Sequence, residues 1–317
     1  MHTLPTFRTV AQLSNLRGAA EALHLTHSAV SQQIQLLEAQ LGFKLFDRRG
    51  RRIALNAAGA ALLRAVEPAL DQLDDGVRAA AAAAAGTAHR IRLTLVPSFT
   101  QRWLLPRMGR WREQHPDIAL ELHAGQQLVD LRREGFQAAV RQGAGHWRGL
   151  VAERLTDSPL IAVGSPSMAR RLLGRELRAL ADEPLLGSRT RWTNWFAHAG
   201  LQVQANTVAA FNDSGMMLQA AEQELGVALA RELLAADALH SGRLVRLFDV
   251  ALPDDGSDVY WLVYPPALRD WPPLSALRDW LHEELALSQR RLAQPLTSPP
   301  GKATASRSGS RSRARSA

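Results

Sequence analysis

Two short stretches carry side chains whose types and spacing could do chemistry on a nucleic acid. Thr26, His27, Ser28, Ser31, Gln32 and Gln35 place hydroxyl, imidazole and amide groups within ten residues. Such groups both donate and accept hydrogen bonds, as reading base edges in a major groove requires. Val30, Ile34, Leu37 and Leu41 recur at i, i+4, i+7 and i+11, so a helix would bury that stripe and turn Ser28, Ser31, Gln32 and Gln35 outwards. The outward face holds no acid and could approach phosphates. Thr26 stands at the cap position, leaving the N-terminal amides and positive dipole end to face a phosphate. Further on, Arg48, Arg49, Arg51 and Arg52 flank Gly50 between the apolar runs Leu45-Phe46 and Ile53-Ala54-Leu55. These mutually repelling cations make a poor internal turn but a good contact for phosphates or a minor groove. A plain amphipathic helix with a solvated polar face would share the first pattern. A small-residue helix before it, beginning at Arg17-Gly18-Ala19, and the basic hairpin after it favour the nucleic-acid reading.

The elements that must position these groups can be read on either side. Pro5 suits the first turn of a leading helix that turns Phe7, Val10 and Ala11 inward. Asn56 is placed to cap a helix of some 30 residues, on the order of 45 Å long, that runs into the alanines 79–85. Its stripe of Leu62, Leu63, Val66, Leu70, Leu73 and Val77 asks for a partner, either the same helix of a second copy or the chain's own body. Pro68 should kink this helix or remove a backbone bond, and Gly86-Thr87 reads as a hinge.

Beyond residue 90 the pattern becomes short apolar strands at 91–96, 118–122, 136–140, 151–155 and 160–163, alternating with helices. A second set follows from Ser165-Pro166-Ser167 to Leu252, including a helix at 216–225 and a strand at 227–230. A strand at 260–264 and an amphipathic helix at 274–287 close the chain back on the first set. An interrupted set of this kind predicts an α/β fold of two subdomains with a cleft between them. Pro97-Ser98-Phe99-Thr100 lies between a strand and a helix, so hydroxyls and helix amides would converge at a strand's carboxyl end, where an anion is favoured. Either hydroxyl could instead serve only as a helix cap. Trp192 and Trp195 suit an apolar wall or, more simply, the core.

Residues 19–59, AAEALHLTHSAVSQQIQLLEAQLGFKLFDRRGRRIALNAAG, resemble the winged helix-turn-helix of the LysR-type transcriptional regulators. The resemblance continues through WLLPRM (103–108), DLRREGF (130–136), VRQGAGHW (140–147) and GLVAERL (149–155), in the manner of the glycine-cleavage-activator and beta-lactamase-regulator branch, and covers roughly residues 1–290. Two positions depart from the family: Arg17 stands where Ser or Thr often caps a helix, and Gln32 where Arg is frequent. The resemblance implies a mainly α DNA-binding domain (1–60), a linker and dimerisation helix (57–88) and a periplasmic-binding-protein-like effector domain (89–290). Its subdomains would be 89–164 with 265–290, and 165–264. Residues 291–317, rich in Ser, Arg, Pro and Gly, are expected to be a disordered basic tail. Arg17, Thr26, His27, Ser28, Ser31, Gln32, Gln35, Arg48, Arg49, Arg51 and Arg52 form the expected DNA-contacting set. The resemblance places Ser98, Asp130, Ser214 and Tyr260 in the effector cleft, with Phe99, Thr100 and Arg141 near it. Asp130 could equally be a helix cap and Tyr260 a core residue.

Composition agrees with this reading. Of the net charge of +8, residues 1–60 hold +4 and residues 301–317 hold +5, leaving the middle at −1. A basic head on a near-neutral body suits nucleic-acid binding. There is no cysteine among the 317 residues, hence no disulfide framework and no thiolate for zinc or nucleophilic catalysis. HExxH, GxSxG and P-loop motifs are missing, and Gly143-Ala144-Gly145-His146-Trp147-Arg148-Gly149 misses GxGxxG by one residue. No cofactor or metal and no catalysis are expected. No export signal or membrane span is apparent, which disfavours a solute-binding protein of the same cleft fold and points to the cytoplasm. The expected partners are double-stranded DNA at an interrupted palindrome, a small effector of anionic character, further copies of the chain as a homodimer or homotetramer, and RNA polymerase.

Overall fold

The computed structural model describes residues 3–49, 52–84, 89–256 and 258–293. The expected Gly86-Thr87 hinge and the tail from residue 294 lie outside them. In the head, α1 (Leu4–Leu13), α2 (Leu16–Ala22) and α3 (His27–Leu41) precede a hairpin of β1 (Phe46–Arg49) and β2 (Arg52–Leu55), and α4 (Ala57–Ala84) follows. Pro5 occupies the first turn of α1. Phe7 and Val10 bury completely against Val30, Ile34, Leu37, Leu45 and Ile53, so the apolar stripe of α3 is the centre of the head's core. Asn56 caps α4 by accepting the Gly59 amide at 2.9 Å. A side chain at position 59 would put its Cβ 2.1 Å from the Leu45 carbonyl, so only glycine lets α4 lie this close to the hairpin. The helix runs on through Pro68.

One acid on α3 is turned inward. Glu38 accepts the Leu45 amide at 2.9 Å and pairs with Lys44 at 2.8 Å, which pins the turn between α3 and the hairpin. Burial alone would raise its pKa, but Lys44 and the amides of Leu45 and Phe46 outweigh burial and hold the carboxyl below its ordinary value.

The α4 stripe meets the chain's own body over its first half. Leu62, Leu63, Val66 and Leu70, read as candidates for pairing with a second copy, pack on the head of their own chain. The stripe continues past the head as Leu73 and Val77, which are 66% and 70% exposed.

The remainder is two five-stranded sheets. In chain order come β3 (Arg90–Leu95), α5 (Pro97–Phe99), α6 (Met108–Gln114), β4 (Ala119–Ala124), α7 (Leu131–Glu134), β5 (Ala138–Gly143) and β6 (Val151–Thr156). Then follow β7 (Leu160–Gly164), α8 (Pro166–Leu172), β8 (Leu185–Leu186), α9 (Arg189–His198), β9 (Thr207–Ala209), α10 (Ser214–Glu222), β10 (Val227–Arg231), α11 (Glu232–His240) and β11 (Val245–Leu252). The chain returns through β12 (Val259–Tyr264) to α12 (Pro272–Leu292). The first sheet has the order β4-β3-β5-β12-β6 and the second β11-β7-β10-β8-β9. Between α5 and α6 the helix passes through a π turn and a 3-10 turn, so the expected single helix over Trp103 and Trp111 is irregular.

The exchange points between subdomains differ from those expected at 164/165 and 264/265. The strand at 160–164 pairs antiparallel with β10 and β11 and so belongs to the second sheet, while the strand at 259–264 pairs with β5 and β6 in the first. The expected bounds thus misplace both strands, although the return of the strand at 260–264 to the first set is as read from the order of elements. β7 and β10 are buried along their whole length, as strands covered on both faces must be. On α12, Leu274, Leu277, Leu281 and Leu285 close over the core of the first sheet beside Trp103, Trp111 and Trp280.

Glu38→Gln should cost the head about 1–3 kcal/mol, because Lys44 and the Leu45 amide lose a charged acceptor. The sign with pH follows from the lowered pKa: the contribution is present above the ordinary value of 4.5 and is lost as pH falls through the lower folded value. Urea unfolding against pH should therefore show the wild-type advantage over the Gln variant shrinking on acidification.

Candidate nucleic-acid interface and ligand cleft

The Thr26 hydroxyl accepts the Ala29 amide at 3.2 Å and caps α3, with the Ser28 hydroxyl 3.0 Å away. His27, Ser28, Gln32 and Gln35 are exposed and Ser31 is half-buried, so the structure gathers these residues on one polar face opposite Val30, Ile34 and Leu37. With Glu38 buried, that face has no acid pointing out. Arg17 is exposed and pairs with Glu21 at 3.3 Å, within α2. The cap absent at position 17 is supplied two residues earlier by Asn15, whose side chain accepts the Arg17 amide at 2.9 Å. An asparagine directly before Leu16 was the sequence signal for it. β1 and β2 pair from Phe46↔Leu55 to Arg49↔Arg52, the expected wing. Its tip, Gly50 and Arg51, and the side chains of Arg48, Arg49 and Arg52 lie outside what is described.

A cavity of about 540 Å³ lies between the subdomains. On the first side stand Val96, Ser98, Arg141 and residues 142–144, 146 and 147, on the second Asn212, Asp213 and Ser214, with Gln126 and Leu128 beside them. Links beside the cavity hold the subdomains to each other: the Gln126 amide donates to the Asn212 carbonyl, and Arg102 pairs with Glu222 at 2.8 Å while also donating to the Gly215 carbonyl at 2.8 Å.

Arg141 is the unusual group in this wall. Its Nη2 donates to the Thr94 hydroxyl at 2.8 Å and to the Gln127 carbonyl at 3.3 Å, while Nη1 is buried without a hydrogen-bond partner. Among the described residues no acid forms an ion pair with it. Burial lowers its pKa from the ordinary arginine value, but a guanidinium stays charged at neutral pH. The cavity is therefore bounded by an uncompensated buried cation. Ser98 is 4% exposed. Tyr260 is itself buried, and burial, opposed by Arg231 and the Ser98 hydroxyl, leaves its pKa raised to about 12, so it is a neutral hydroxyl under the floor.

Sequence reasoning placed Ser98, Arg141 and Ser214 near the cleft, and the structure brings all three into its wall. Phe99 and Tyr260 lie beneath it, with Phe99 stacked on Trp103 at 4.9 Å and beside Tyr260 at 5.1 Å. Thr100 and Asp130 do not line it. The Thr100 hydroxyl donates to the Val96 carbonyl at 3.0 Å, and Asp130 is an exposed cap that accepts the Arg132 and Arg133 amides at 3.0 and 3.1 Å. Trp192 and Trp195 are fully buried in the second subdomain's core. The residues missed were Gln126, Asn212, Asp213, His146 and Trp147. The glycine-rich run 143–149 was the available signal: Gly145 has φ +88° and a Cβ there would stand 2.5 Å from the Trp261 ring, which itself donates to the Gly143 carbonyl at 2.8 Å.

The outer side of that loop reaches α4. Arg148 pairs with Glu67, and the Gly149 carbonyl accepts from Arg132 at 3.3 Å. Arg132 in turn pairs with Asp71 at 2.7 Å and Asp75 at 3.3 Å, and Asp71 also holds Arg8 of α1 at 3.1 Å. One acidic row at i, i+4 and i+8 on α4 thus joins head and cleft loop.

Replacing an unpaired buried cation should be nearly free, whereas breaking a buried pair should not. Arg141→Met is expected to change the unfolding free energy of ligand-free protein by less than about 1 kcal/mol. Arg107→Met, which strips the half-exposed Asp237 of bonds at 2.9 and 3.1 Å and the buried Trp103 carbonyl of one at 2.7 Å, should cost more, about 1–3 kcal/mol. Urea titrations of both variants decide it, and a loss of several kcal/mol at Arg141 would mean that its charge is already satisfied.

Residues 1–60 match the family model of the bacterial regulatory helix-turn-helix protein, lysR family, and residues 84–286 that of the LysR substrate binding domain. The chain is 33% identical to the transcriptional activator AmpR of Citrobacter koseri over 89% of this chain and 96% of that protein. It is 31% identical to the glycine cleavage system transcriptional activator of Escherichia coli K12 over 92% and 95%. Among solved structures, the effector domain of AmpR from Pseudomonas aeruginosa is similar with a TM-score of 0.55 at 33% identity, over 63% of this chain and 98% of that one. CrgA, a LysR-type regulator from Neisseria meningitidis, has a TM-score of 0.52 at 22% identity over 90% and 98%, a likeness of fold. Helix-turn-helix head, linker helix and two-sheet effector domain together make this chain a member of the LysR family of transcriptional regulators.

Proposed function

We propose that this regulator holds operator DNA with the polar face of α3 and the basic wing, and answers to a small anionic effector in the cleft between its subdomains. The observation that carries the reading is Arg141, a buried guanidinium without an acid, in a cleft whose loop is tied by ion pairs to the helix that bears the head. Burying an unpaired charge is costly, and an anion that supplies the missing partner gains what the free protein lacks. Ser98 and Ser214 offer hydroxyls on the two walls, so bound anion would favour closure of one subdomain on the other. Movement of the loop 143–149 would then reach α4 through Arg132 and Arg148. Arg17, Thr26, His27, Ser28, Ser31, Gln32 and Gln35 are assigned to the DNA on the head's outer face, with Arg48, Arg49, Arg51 and Arg52 as phosphate contacts of the wing. Leu73 and Val77 offer the open end of the α4 stripe to a second copy, and a dimer, or a pair of dimers, would span the half-sites of an interrupted palindrome. RNA polymerase is the further partner assigned to the DNA-bound form, and no catalytic step is assigned to the cleft.

Gln32→Ala should alter which operator bases are preferred while changing the salt dependence of binding little, because a base contact carries specificity and a phosphate contact carries counterion release. Selection of bound sequences from a random pool, beside anisotropy titrations at several salt concentrations, checks this. An unchanged preference would remove Gln32 from the reading set.

For the joint, Arg132→Glu should disturb the transcriptional response, and adding Asp75→Arg should restore part of it. A double-mutant cycle on operator affinity is expected to give about 1–3 kcal/mol of coupling between the two positions. Strictly additive effects would show that the contact transmits nothing.

A further inference from the structure

We propose that the ligand of this cleft is a zwitterion, a small molecule carrying both a carboxylate and an ammonium group as an amino acid does. This rests on the anionic-effector reading and adds a second, opposite charge to it. Among the described residues two that line the cavity carry a buried side-chain atom without a hydrogen-bond partner, and they have opposite charge: Arg141 with its Nη1 and Asp213 with its Oδ2. They come from different subdomains, Arg141 from β5 and Asp213 from the start of α10, and they form no ion pair with each other. A buried charged atom without a partner is costly. Here one cavity holds one such cation and one such anion.

A plain carboxylate would satisfy Arg141 and stand in the field of Asp213. A plain amine would do the reverse. Only a molecule with both groups satisfies both walls, and because the walls belong to separate subdomains, such a molecule gains most when they close on it. Asp213 is held for this role by its other oxygen: Oδ1 accepts the Gly215 and Met216 amides at 2.8 and 3.1 Å, which fixes the carboxylate plane and leaves Oδ2 over. Val96, Leu128 and Trp147 provide apolar wall for the rest of the molecule.

The test uses the full chain and calorimetric titration with a defined panel: the proteinogenic amino acids, β-alanine and 4-aminobutyrate to vary the charge spacing, and for each its deaminated carboxylate and its decarboxylated amine. At least one amino acid should bind about tenfold or more tightly than its deaminated carboxylate, the worth of one charge-assisted hydrogen bond. Asp213→Asn, which keeps a good helix cap, should bring the affinity for that amino acid down to that of the carboxylate. Arg141→Gln should abolish binding of both. Equal affinity of amino acid and carboxylate for the wild-type protein would overturn the zwitterion while leaving the anionic reading standing. Carboxylate binding that survives Arg141→Gln, or no binding by any member of the panel, would overturn both.

Discussion

The ionic joint on α4 is the contact on which the rest of the molecule depends. Glu67, Asp71 and Asp75 face Arg148 and Arg132 of the effector domain, and Asp71 is shared with Arg8 of the head. Asp75 is almost wholly buried and the Arg132 side chain is 19% exposed, so water screens this contact less than a surface pair. Exposed pairs contribute about 0.2–1 kcal/mol each, and breaking a buried one costs about 3–5 kcal/mol. A joint between those limits is firm enough to hold one arrangement and weak enough for a ligand's unequal affinity to shift.

Charge is placed consistently with that joint. In the head the one acid of α3 is spent inward on Lys44 and the Leu45 amide, which leaves the outer face to uncharged donors and acceptors. In the effector domain buried cations are matched by acids, Arg107 with Asp237 and Arg231 with Asp254 and Asp258. Arg141 is the exception, and it faces a cavity. Among the described residues it is the one buried arginine without an acid, which is what supports the proposed arrival of a charge from outside.

Much of this was legible in the sequence because the signals were local. The stripe of α3, the caps Thr26 and Asn56, Pro5 in α1 and the hydroxyl of Ser98 each depend on neighbours within a turn or two of chain, whereas Ser214 came only from the family resemblance. What stayed hidden depends on distant partners. An apolar run such as 160–164 reads the same in either sheet, so the exchange point between subdomains could not be placed. The stripe Leu62 to Leu70 looks alike whether it meets a second copy or its own head. Arg141 was found through family resemblance, but that it lacks an acid is visible only when distant residues such as Thr94 and Gln127 are in place, and Asp213 was not singled out in the sequence at all.

Hydrogen exchange on the full-length protein tests the central claim most directly, measured free and with the carboxylate-bearing ligand that most raises its melting temperature. If the cleft speaks to the head through the joint, protection should change together in residues 143–149, 131–135 and 67–75. Changes confined to 96–101, 126–128 and 212–216, with α4 unaltered at saturating ligand, would contradict the account.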